Sequence, residues 1–444
     1  MGFKQKAERP LRSIAIETYA LRYFLKWKRT QWLPTEKLRE FQGQGLRCLL
    51  EHAYNNVPFY RRVFRQRNLK PNDFSSVDDL IRLPIVTKTD LRQHFNEFLA
   101  RNSGYFAPIA WSTGGSTGEP LRFFIDVTSA AACEAALWRG WSYAGHRFGD
   151  KMAVLSGLSL APQQEASLKS AARRVIRRMA FYPAINLSKE ILSAYAKKMM
   201  EHKPKFIRGY PSSIYVFADF LKENGINGIR PKAVLTTAEM LFPHQRKLIG
   251  EVFQCDVFDG YGAYDGGTAA FECREHSGYH MFIERMIMEF VDDDGNHVAE
   301  GENGRIIATD LFNYAMPFIR YDTGDMGVCS SEECTCGRKL PLMKKILGRT
   351  TDILRFKTGS VLSGPSLTLI FRDFDVKQYQ IVQKKDDSLL VKLIKGRNFG
   401  DKDTERLHKI LSDLAGRAVE VEFEFVQTIP TTGSGKWKIV IRDV

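Results

Sequence analysis

The chain has 444 residues, of which 44% are hydrophobic, so it can bury a substantial core. This length corresponds to roughly two to four structural units of ~150 residues each. The 65 Lys and Arg residues exceed the 51 Asp and Glu residues, which gives a formal net charge of +14 and an attraction for anions. The chain lacks the aromatic-basic motif of nucleic-acid-binding modules, so we expect no nucleic-acid partner.

The seven cysteines favour a reducing compartment over a disulfide framework, because their number is odd and the chain is long. The first ten residues are polar and charged, without the apolar stretch of a signal peptide. No run of about 18 apolar residues occurs, so we expect no membrane-spanning segment. Together these features predict a cytoplasmic protein.

Residues 1–100 carry a mostly helical pattern. Apolar residues recur at helical spacing between Ile14 and Trp27, and basic residues lie before, within and just after that segment. One interpretation is a helix packed on the domain with its charges in water, and the other is peripheral contact with the inner membrane face. The basic segment 169–178 leaves the same two interpretations open.

A glycine-rich stretch at 112–120 contains three glycines and four hydroxyl residues between two short predicted strands. Such a loop can bring backbone N–H groups close to an anion, with hydroxyls as further donors. It is not a nucleotide-triphosphate loop of the usual kind, because no Lys-Ser or Lys-Thr follows a glycine at the required spacing. Composition alone leaves open a flexible connection without a ligand.

Strands and helices alternate between 206 and 262, which predicts a parallel sheet with crossover helices. Ligands of such sheets bind beyond the carboxyl ends of the strands, where Glu239 and residues 261–265 fall. From Met281 the pattern is β, and residues 353–444 indicate a small α+β domain. The predicted fold class is therefore α/β, with parallel-rich sheets, helices and a β subdomain in a large N-terminal domain, followed by a small C-terminal domain.

Five stretches in order resemble those of the adenylate-forming superfamily. The resemblance is strongest to the phenylacetate–coenzyme A ligases and their relatives in capsular polysaccharide gene clusters, and it spans nearly the whole chain. The five stretches are 112–120, Asp259 to Asp265, Tyr321 to Asp325, Gly348 to Asp352, and Pro430 to Lys436. Segments 52–60 and 83–88 are also typical of that branch.

The resemblance implies three parts: an N-terminal helical part at 1–100, an ATP- and acyl-binding core with a zinc-binding β subdomain at 101–351, and a mobile lid at 352–444. Asp352 would be the hinge between adenylation and thioester formation. Lys436 would bridge the acyl oxygen and the α-phosphate as the catalytic residue. Tyr210 and Pro211 would line the acyl pocket.

The nucleotide site implied by the resemblance draws on several stretches. Tyr261 would stack on adenine, the backbone near Glu239 would read its edge, Asp325 would bind the ribose hydroxyls, and Arg349 would lie against ribose or phosphate. The remaining implied nucleotide-binding residues are Ser112, Thr113, Gly114, Gly115, Ser116, Thr117, Gly118, Gly260 and Gly262.

Asp265 departs from the family pattern, which has Glu as a magnesium ligand at this position. Asp keeps the carboxylate but is one methylene shorter, so contact with Mg²⁺ would pass through water, which this ion retains readily. This departure is the sole support for a degenerate, non-catalytic nucleotide-binding protein.

A second group of residues has the composition of a structural zinc site. Cys273 and the pair Cys334 and Cys336 supply three thiolates. The fourth ligand is His276 or His280, and the Cys-x-x-His spacing favours His276. The alternative is a set of unpaired thiols.

The resemblance therefore implies that the chain uses ATP and Mg²⁺ to convert a small carboxylic acid to an acyl-adenylate, and then transfers the acyl group to coenzyme A. An alternative acceptor is a sugar or carrier in surface polysaccharide biosynthesis. A homodimer is a further expectation, and the acyl substrate is left open.

Overall fold

The computed structural model describes residues 3–112, 121–156, 178–184, 187–349, 353–357, 361–363, 367, 370–371, 374–396, 398–416, 419–430 and 438–443. These form two compact units, each built from two stretches of the chain. The first unit contains Met1–Arg147 and Phe258–Ile346, and the second contains Phe148–Val257 and Leu347–Val444. The division at 100 and 351 implied by the family resemblance stays a prediction.

The N-terminal part of the first unit is helical. Its helices are α1 (Phe3–Thr30), α2 (Thr35–Asn56), α3 (Pro58–Gln66), α4 (Lys88–Gln93), α5 (Phe95–Phe98) and α6 (Val127–Tyr143). Helix α2 buries Leu38, Leu46 and Leu49, which lie on one side of a helix with 3.6 residues per turn. Thr87 caps α4, since its hydroxyl accepts the Asp90 N–H at 3.2 Å and the Asp90 carboxylate accepts the Thr87 N–H at 2.8 Å.

Two short strands flank the glycine-rich stretch, as its neighbouring sequences predict. Strands β1 (Ile109–Ser112) and β2 (Arg122–Ile125) pair in antiparallel register, with Ser112 opposite Arg122. The stretch between them therefore connects two antiparallel strands, and residues 113–120 lie outside the described residues.

The second half of the first unit is β-rich. Its strands are β7 (Asp256–Gly262), which begins in the second unit, β8 (Ala269–Glu272), β9 (Tyr279–Met281), β10 (Met286–Val291), β11 (Asn303–Asp310), β12 (Tyr321–Ser330) and β13 (Leu342–Arg349), which ends in the second unit. They lie in the order β10, β11, β12, β13, β9, β8, β7. The pairs β10–β11, β11–β12, β7–β8 and β8–β9 are antiparallel.

A buried ion pair joins α6 to the segment that precedes β10. Arg139 is fully buried, and its guanidinium donates to both carboxylate oxygens of Glu284, at 2.8 and 3.0 Å. The same guanidinium donates to the Trp27 carbonyl at 3.1 Å and lies 3.6 Å from the centre of the Phe282 ring. The Thr30 hydroxyl also donates to Glu284, at 2.7 Å. These bonds fix the end of α1 against the core of the first unit.

The second unit contains the predicted alternation of strands and helices. Its elements are β3 (Met152–Ser156), β4 (Met179–Pro183), α7 (Lys189–His202), β5 (Phe206–Gly209), α8 (Pro211–Glu223), β6 (Ala233–Thr237) and α9 (Pro243–Phe253). Strands β6, β5, β3 and β4 are neighbours in that order, and the pairs β5–β6, β3–β5 and β3–β4 are parallel. In the basic segment 169–178, Arg178 alone is among the described residues.

The C-terminal part of the second unit is a small α+β arrangement, as predicted. Strands β14 (Ile353–Arg355) and β15 (Val361–Ser363) form an antiparallel pair. Strands β16 (Val376–Gln383), β17 (Leu389–Lys395), β18 (Val421–Phe425) and β19 (Val440–Arg442) lie in the order β18, β17, β16, β19. Helix α10 (Asp401–Ala415) buries Leu407, Leu411 and Ala415 in an apolar core that these strands share.

Across the described ranges, no helix combines the length and the apolar character that crossing a membrane requires.

Candidate functional site

Strand β7 ends in the residues to which the family resemblance assigns adenine binding. A Cβ atom at Gly260 would lie 2.5 Å from the Phe271 ring, so this position accepts glycine alone without movement of that ring. The Tyr261 hydroxyl donates to Asp325 Oδ2 at 2.9 Å, across 64 positions of the chain. Burial and the Asp325 carboxylate hold the pKa of Tyr261 well above its ordinary value, so the phenol stays a donor. The structure thus brings together two predicted nucleotide-binding residues.

The predicted magnesium ligand lies in a tight turn directly after β7. The turn Asp265–Gly267 contains two glycines with positive φ, 78° at Gly266 and 68° at Gly267. A Cβ at Gly266 would lie 3.0 Å from side-chain atoms of Ala308 and Tyr321, so the turn is closely packed. The Tyr321 hydroxyl donates to Asp265 Oδ2 at 3.0 Å. Burial, followed by the charge of Asp265, raises the pKa of Tyr321 and keeps its proton in place.

Tyr321 was not among the predicted site residues, although it opens the stretch that ends in Asp325. The signal that could have found it is its position at the start of that stretch. Tyr321 and Asp265 are 56 positions apart, and the antiparallel β11–β12 pair places the tyrosine opposite Ala308, next to the turn. The Asp265 carboxylate is a suitable ligand for a magnesium ion, since Mg²⁺ binds one or two carboxylates and completes its coordination shell with water.

The predicted acyl-pocket residues and Glu239 lie in the second unit. Tyr210 is fully buried and immediately precedes α8, with Pro211 at the first helical position. Glu239 Oε2 accepts the backbone N–H of Ser212 at 3.2 Å, at the N-terminal end of α8. Ala238 has a φ of 69°, which is uncommon outside glycine and turns the chain just before Glu239. Glu239 is therefore bonded to the segment that carries the pocket residues.

Several predicted site residues lie outside the described part of the chain. Ser112 is described and exposed at the end of β1. Thr113, Gly114, Gly115, Ser116, Thr117, Gly118, Asp352 and Lys436 are outside it, and Arg349 is the last residue of β13. Their assigned roles stay predictions.

The cysteine and histidine residues form a cluster in the first unit. Cys273 follows β8, His280 lies in β9, and Cys334 and Cys336 lie between β12 and β13. One ligand atom from each of the four lies within 4.8 Å of the others. The Sγ atoms of Cys273 and Cys334 are 3.6 Å apart, and Cys336 Sγ is 3.4 Å from His280 Nε2. This geometry defines a cysteine–histidine cluster of four residues.

The fourth member of the cluster is His280, not the His276 that the sequence spacing favoured. Nδ1 of His276 lies 3.2 Å from Glu272 Oε2. Its φ of 47° belongs to a turn between β8 and β9. His280 instead lies opposite Phe271 in the β8–β9 pair, and its Nε2 lies 3.4 Å from Cys336 Sγ. The preference for His276 is corrected accordingly.

The donor set fits zinc in both distance and chemistry. Zn–S bonds of ~2.3 Å and Zn–N bonds of ~2.0–2.1 Å at tetrahedral angles place two sulfurs ~3.8 Å apart and a sulfur and a nitrogen ~3.6 Å apart. The separations of 3.6 and 3.4 Å are close to these values. Cys273, Cys334 and His280 are buried, so the cluster is protected from bulk water.

Protonation in the cluster differs from residue to residue. Burial lowers the pKa of His280 to about 4, helped by the charge of Arg338, so its imidazole is neutral as a metal ligand requires. Burial raises the pKa of Cys273 to about 12. For Cys334 burial acts in the same direction, but hydrogen bonds, foremost that from Ser277, lower the pKa overall. Cys334 is thereby favoured as a thiolate over Cys273.

Comparison with known proteins gives a consistent set of relatives. Residues 354–443 match the family model of the CapK C-terminal domain. The phenylacetate-coenzyme A ligase of Thermus thermophilus is 29% identical over 373 residues, covering 80% of this chain and 80% of that enzyme. Protein CapK of Staphylococcus aureus is 25% identical over 435 residues, covering 96% of this chain and 94% of CapK.

Solved structures show the same fold. A 2-hydroxyisobutyryl-CoA ligase in the postadenylation state, in complex with R3-HIB-AMP, matches with a TM-score of 0.75 and 20% identity, covering 94% of this chain and 92% of that one. The anthranilate CoA ligase AuaEII in complex with anthranoyl-AMP matches with a TM-score of 0.55 and 15% identity, covering 74% and 65%. The predicted α/β fold is confirmed by these likenesses.

Proposed function

We propose that this chain, a relative of the phenylacetate–coenzyme A ligases and CapK in the adenylate-forming superfamily, activates a small carboxylic acid with ATP. A carboxylate oxygen attacks the α-phosphorus, pyrophosphate leaves, and an acyl-adenylate forms. The thiol of coenzyme A then attacks the acyl carbon and AMP leaves. The observation that carries this proposal is the hydrogen bond between Tyr261 and Asp325, which joins two family stretches into one site.

The described residues have defined tasks in this proposal. Asp325 would accept the ribose hydroxyls, and Tyr261 would present its ring to adenine while its hydroxyl orients Asp325. Asp265, held by Tyr321, would provide the carboxylate for Mg²⁺, which neutralises phosphate charge when bound. Glu239 would keep the pocket segment at Tyr210 in place through Ser212.

The remaining tasks fall to residues outside the described part of the chain. The stretch Thr113–Gly118 would hold the departing pyrophosphate through N–H and hydroxyl donors. Lys436 would place a positive charge between the acyl oxygen and the α-phosphate, where negative charge develops. Arg349 would lie against the nucleotide, and Asp352 would act as a hinge for the segment that carries Lys436.

We further propose that Cys273, His280, Cys334 and Cys336 hold a structural zinc ion. Four protein ligands leave no open coordination position, so the ion would take no part in the reaction. Its effect would be to tie the loop after β12 to strand β9.

A second candidate acceptor is a sugar or carrier in surface polysaccharide assembly. The similarity to CapK favours it, since it covers 96% of this chain and includes the C-terminal family match. Both acceptors share the adenylation half-reaction, so they differ in the second step alone. A cytoplasmic location and a homodimer are further parts of the proposal.

The decisive experiment is carboxylate-dependent exchange of pyrophosphate into ATP across a library of aryl, short aliphatic and hydroxy acids. We expect exchange with one acid class, its loss in Lys436→Ala, and its retention in the matched control Lys438→Ala. Formation of a thioester on addition of coenzyme A would identify the acceptor, whereas exchange without thioester would favour a sugar or carrier. Measurable ATP binding without exchange for any acid would contradict the proposal and indicate a degenerate protein.

A further inference from the structure

The outer face of helix α1 exposes an apolar ridge. Ile14 is 63% exposed, Leu21 45% and Leu25 50%. The spacings of seven and four residues place all three side chains on one side of a helix. At 1.5 Å per residue the ridge from Ile14 to Leu25 is about 16 Å long. We call this the α1 ridge.

The opposite face of α1 is fixed in the core of the first unit, so the ridge is not part of a frayed end. Phe24 and Trp27 are buried, and the Phe24 ring packs edge-on against Trp138 of α6 at 6.2 Å. Arg139 of α6 donates to the Trp27 carbonyl. The helix therefore has a locked inner face and an apolar outer face.

Basic side chains flank the ridge. At 100° per residue, Lys28 lies on one side of the ridge, and Arg22 and Arg29 lie on the other. All three are exposed. The complete helix carries eight basic residues against two acidic ones, Glu8 and Glu17, a net of +6 for α1 within the chain's +14. The basic residues are Lys4, Lys6, Arg9, Arg12, Arg22, Lys26, Lys28 and Arg29.

We propose that the outer face of α1 binds an anionic membrane surface, with the helix axis parallel to the bilayer. Leu21, Leu25 and Ile14 would enter the boundary between headgroups and acyl chains, while Arg22, Lys28 and Arg29 would meet anionic headgroups. The proposal does not rest on the enzymatic activity, because none of these residues has a task in that site.

Charge favours a bilayer over a second copy of the chain as the partner. A two-fold symmetric dimer through this face would bring Arg22, Lys28 and Arg29 of both copies together, and their like charges would repel. An anionic lipid surface offers both an apolar layer for the ridge and negative charge for its flanks. The apolar ridge and its basic flanks together therefore favour an anionic lipid surface as the partner.

The test is co-sedimentation of the full chain with vesicles of phosphatidylcholine alone and of phosphatidylcholine mixed with phosphatidylglycerol. We expect binding to the mixed vesicles, reduced at high salt. Leu21→Asp with Leu25→Asp removes the ridge, and Arg22→Glu with Arg29→Glu inverts its flank. Each double variant should lower the partition coefficient about tenfold or more. Circular dichroism would verify that each variant is folded.

Matched controls separate this face from general charge attraction. Tyr105→Asp with Leu414→Asp changes two exposed apolar residues elsewhere, and Lys402→Glu with Lys409→Glu makes the same charge change on α10. Both controls should bind like the unchanged chain. Equal losses in the controls, or no binding to anionic vesicles, would overturn the proposal. A dimer abolished by the ridge variant, measured by analytical ultracentrifugation, without vesicle binding would also overturn it.

Discussion

Replacing the two histidines near the cysteines one at a time gives a sharp test of the metal site. We expect His280→Asn to lose zinc and His276→Asn to keep it. In the structure His280 Nε2 lies 3.4 Å from Cys336 Sγ, whereas His276 Nδ1 lies 3.2 Å from the Glu272 carboxylate. The two variants therefore change the same residue type four positions apart with opposite expected results.

The size of the effect follows from sharing the binding energy among four ligands. Structural zinc sites bind with about 10–16 kcal/mol, so one ligand contributes roughly 3 kcal/mol. A loss of that size weakens zinc binding on the order of 100-fold. Cys334→Ser should weaken zinc binding by a similar factor, while Cys329→Ser should leave it unchanged because Cys329 is not in the cluster.

The assay is the zinc content of purified protein after dialysis against a chelator, measured by mass spectrometry per chain. Absorption of the cobalt-loaded protein would report thiolate coordination independently of stability. Retention of zinc by His280→Asn together with its loss in His276→Asn would refute the assignment of the fourth ligand. A wild-type chain that never holds zinc would refute the metal site itself and leave a cluster of thiols.

Three further predictions concern hydrogen bonds and charge. Tyr261→Phe removes the hydroxyl that donates to Asp325 and should raise the apparent KM for ATP about tenfold or more, because a hydrogen bond to a charged group contributes about 1.5–3 kcal/mol. Steady-state kinetics would measure this KM. Arg139→Met leaves Glu284 buried without its cationic partner and should lower the free energy of unfolding by about 3–5 kcal/mol in urea titrations, and an unchanged midpoint would contradict this. A hydrogen bond to the Glu289 carboxylate raises the pKa of His297. The protonated His297 therefore stabilises the fold fully below about pH 6.5, and this stabilisation is lost as the pH rises through the raised pKa. Unfolding midpoints at about pH 6 and pH 9 should accordingly differ less in His297→Gln than in the unchanged chain, and equal differences would rule this out.

Local sequence patterns predicted the elements that depend on local rules. The glycine-rich stretch between two short strands is one case, because antiparallel pairing of Ile109–Ser112 with Arg122–Ile125 needs only neighbouring residues. The alternation that begins at Phe206 is another. Strands that alternate with helices along the chain pair in parallel in few possible topologies, and the observed parallel pairs β3–β5 and β5–β6 agree with this pattern.

Contacts between distant parts of the chain could not be predicted in the same way. Arg139 and Glu284 are 145 positions apart, and neither has a sequence context that points to the other. The choice between His276 and His280 failed for a related reason. Spacing along the chain favoured His276, but distance in space is set by the β8–β9 pairing, which carries His280 towards the cysteines.

The surroundings of Asp265 bear on whether its departure from the family pattern indicates a non-catalytic protein. From sequence alone, an aspartate in place of the family's glutamate suggested a weakened magnesium site. In the structure the carboxylate is held by the Tyr321 hydroxyl at 3.0 Å, in a turn whose two glycines have φ values of 78° and 68°. A Cβ at the next position, Gly266, would lie 3.0 Å from side-chain atoms of Ala308 and Tyr321, so the turn that carries Asp265 is closely packed. The shorter residue has a specific partner and a fixed position, and water completes the coordination shell of magnesium readily. The substitution is therefore weak support for a degenerate protein, and the pyrophosphate-exchange result carries more weight than the residue type at 265.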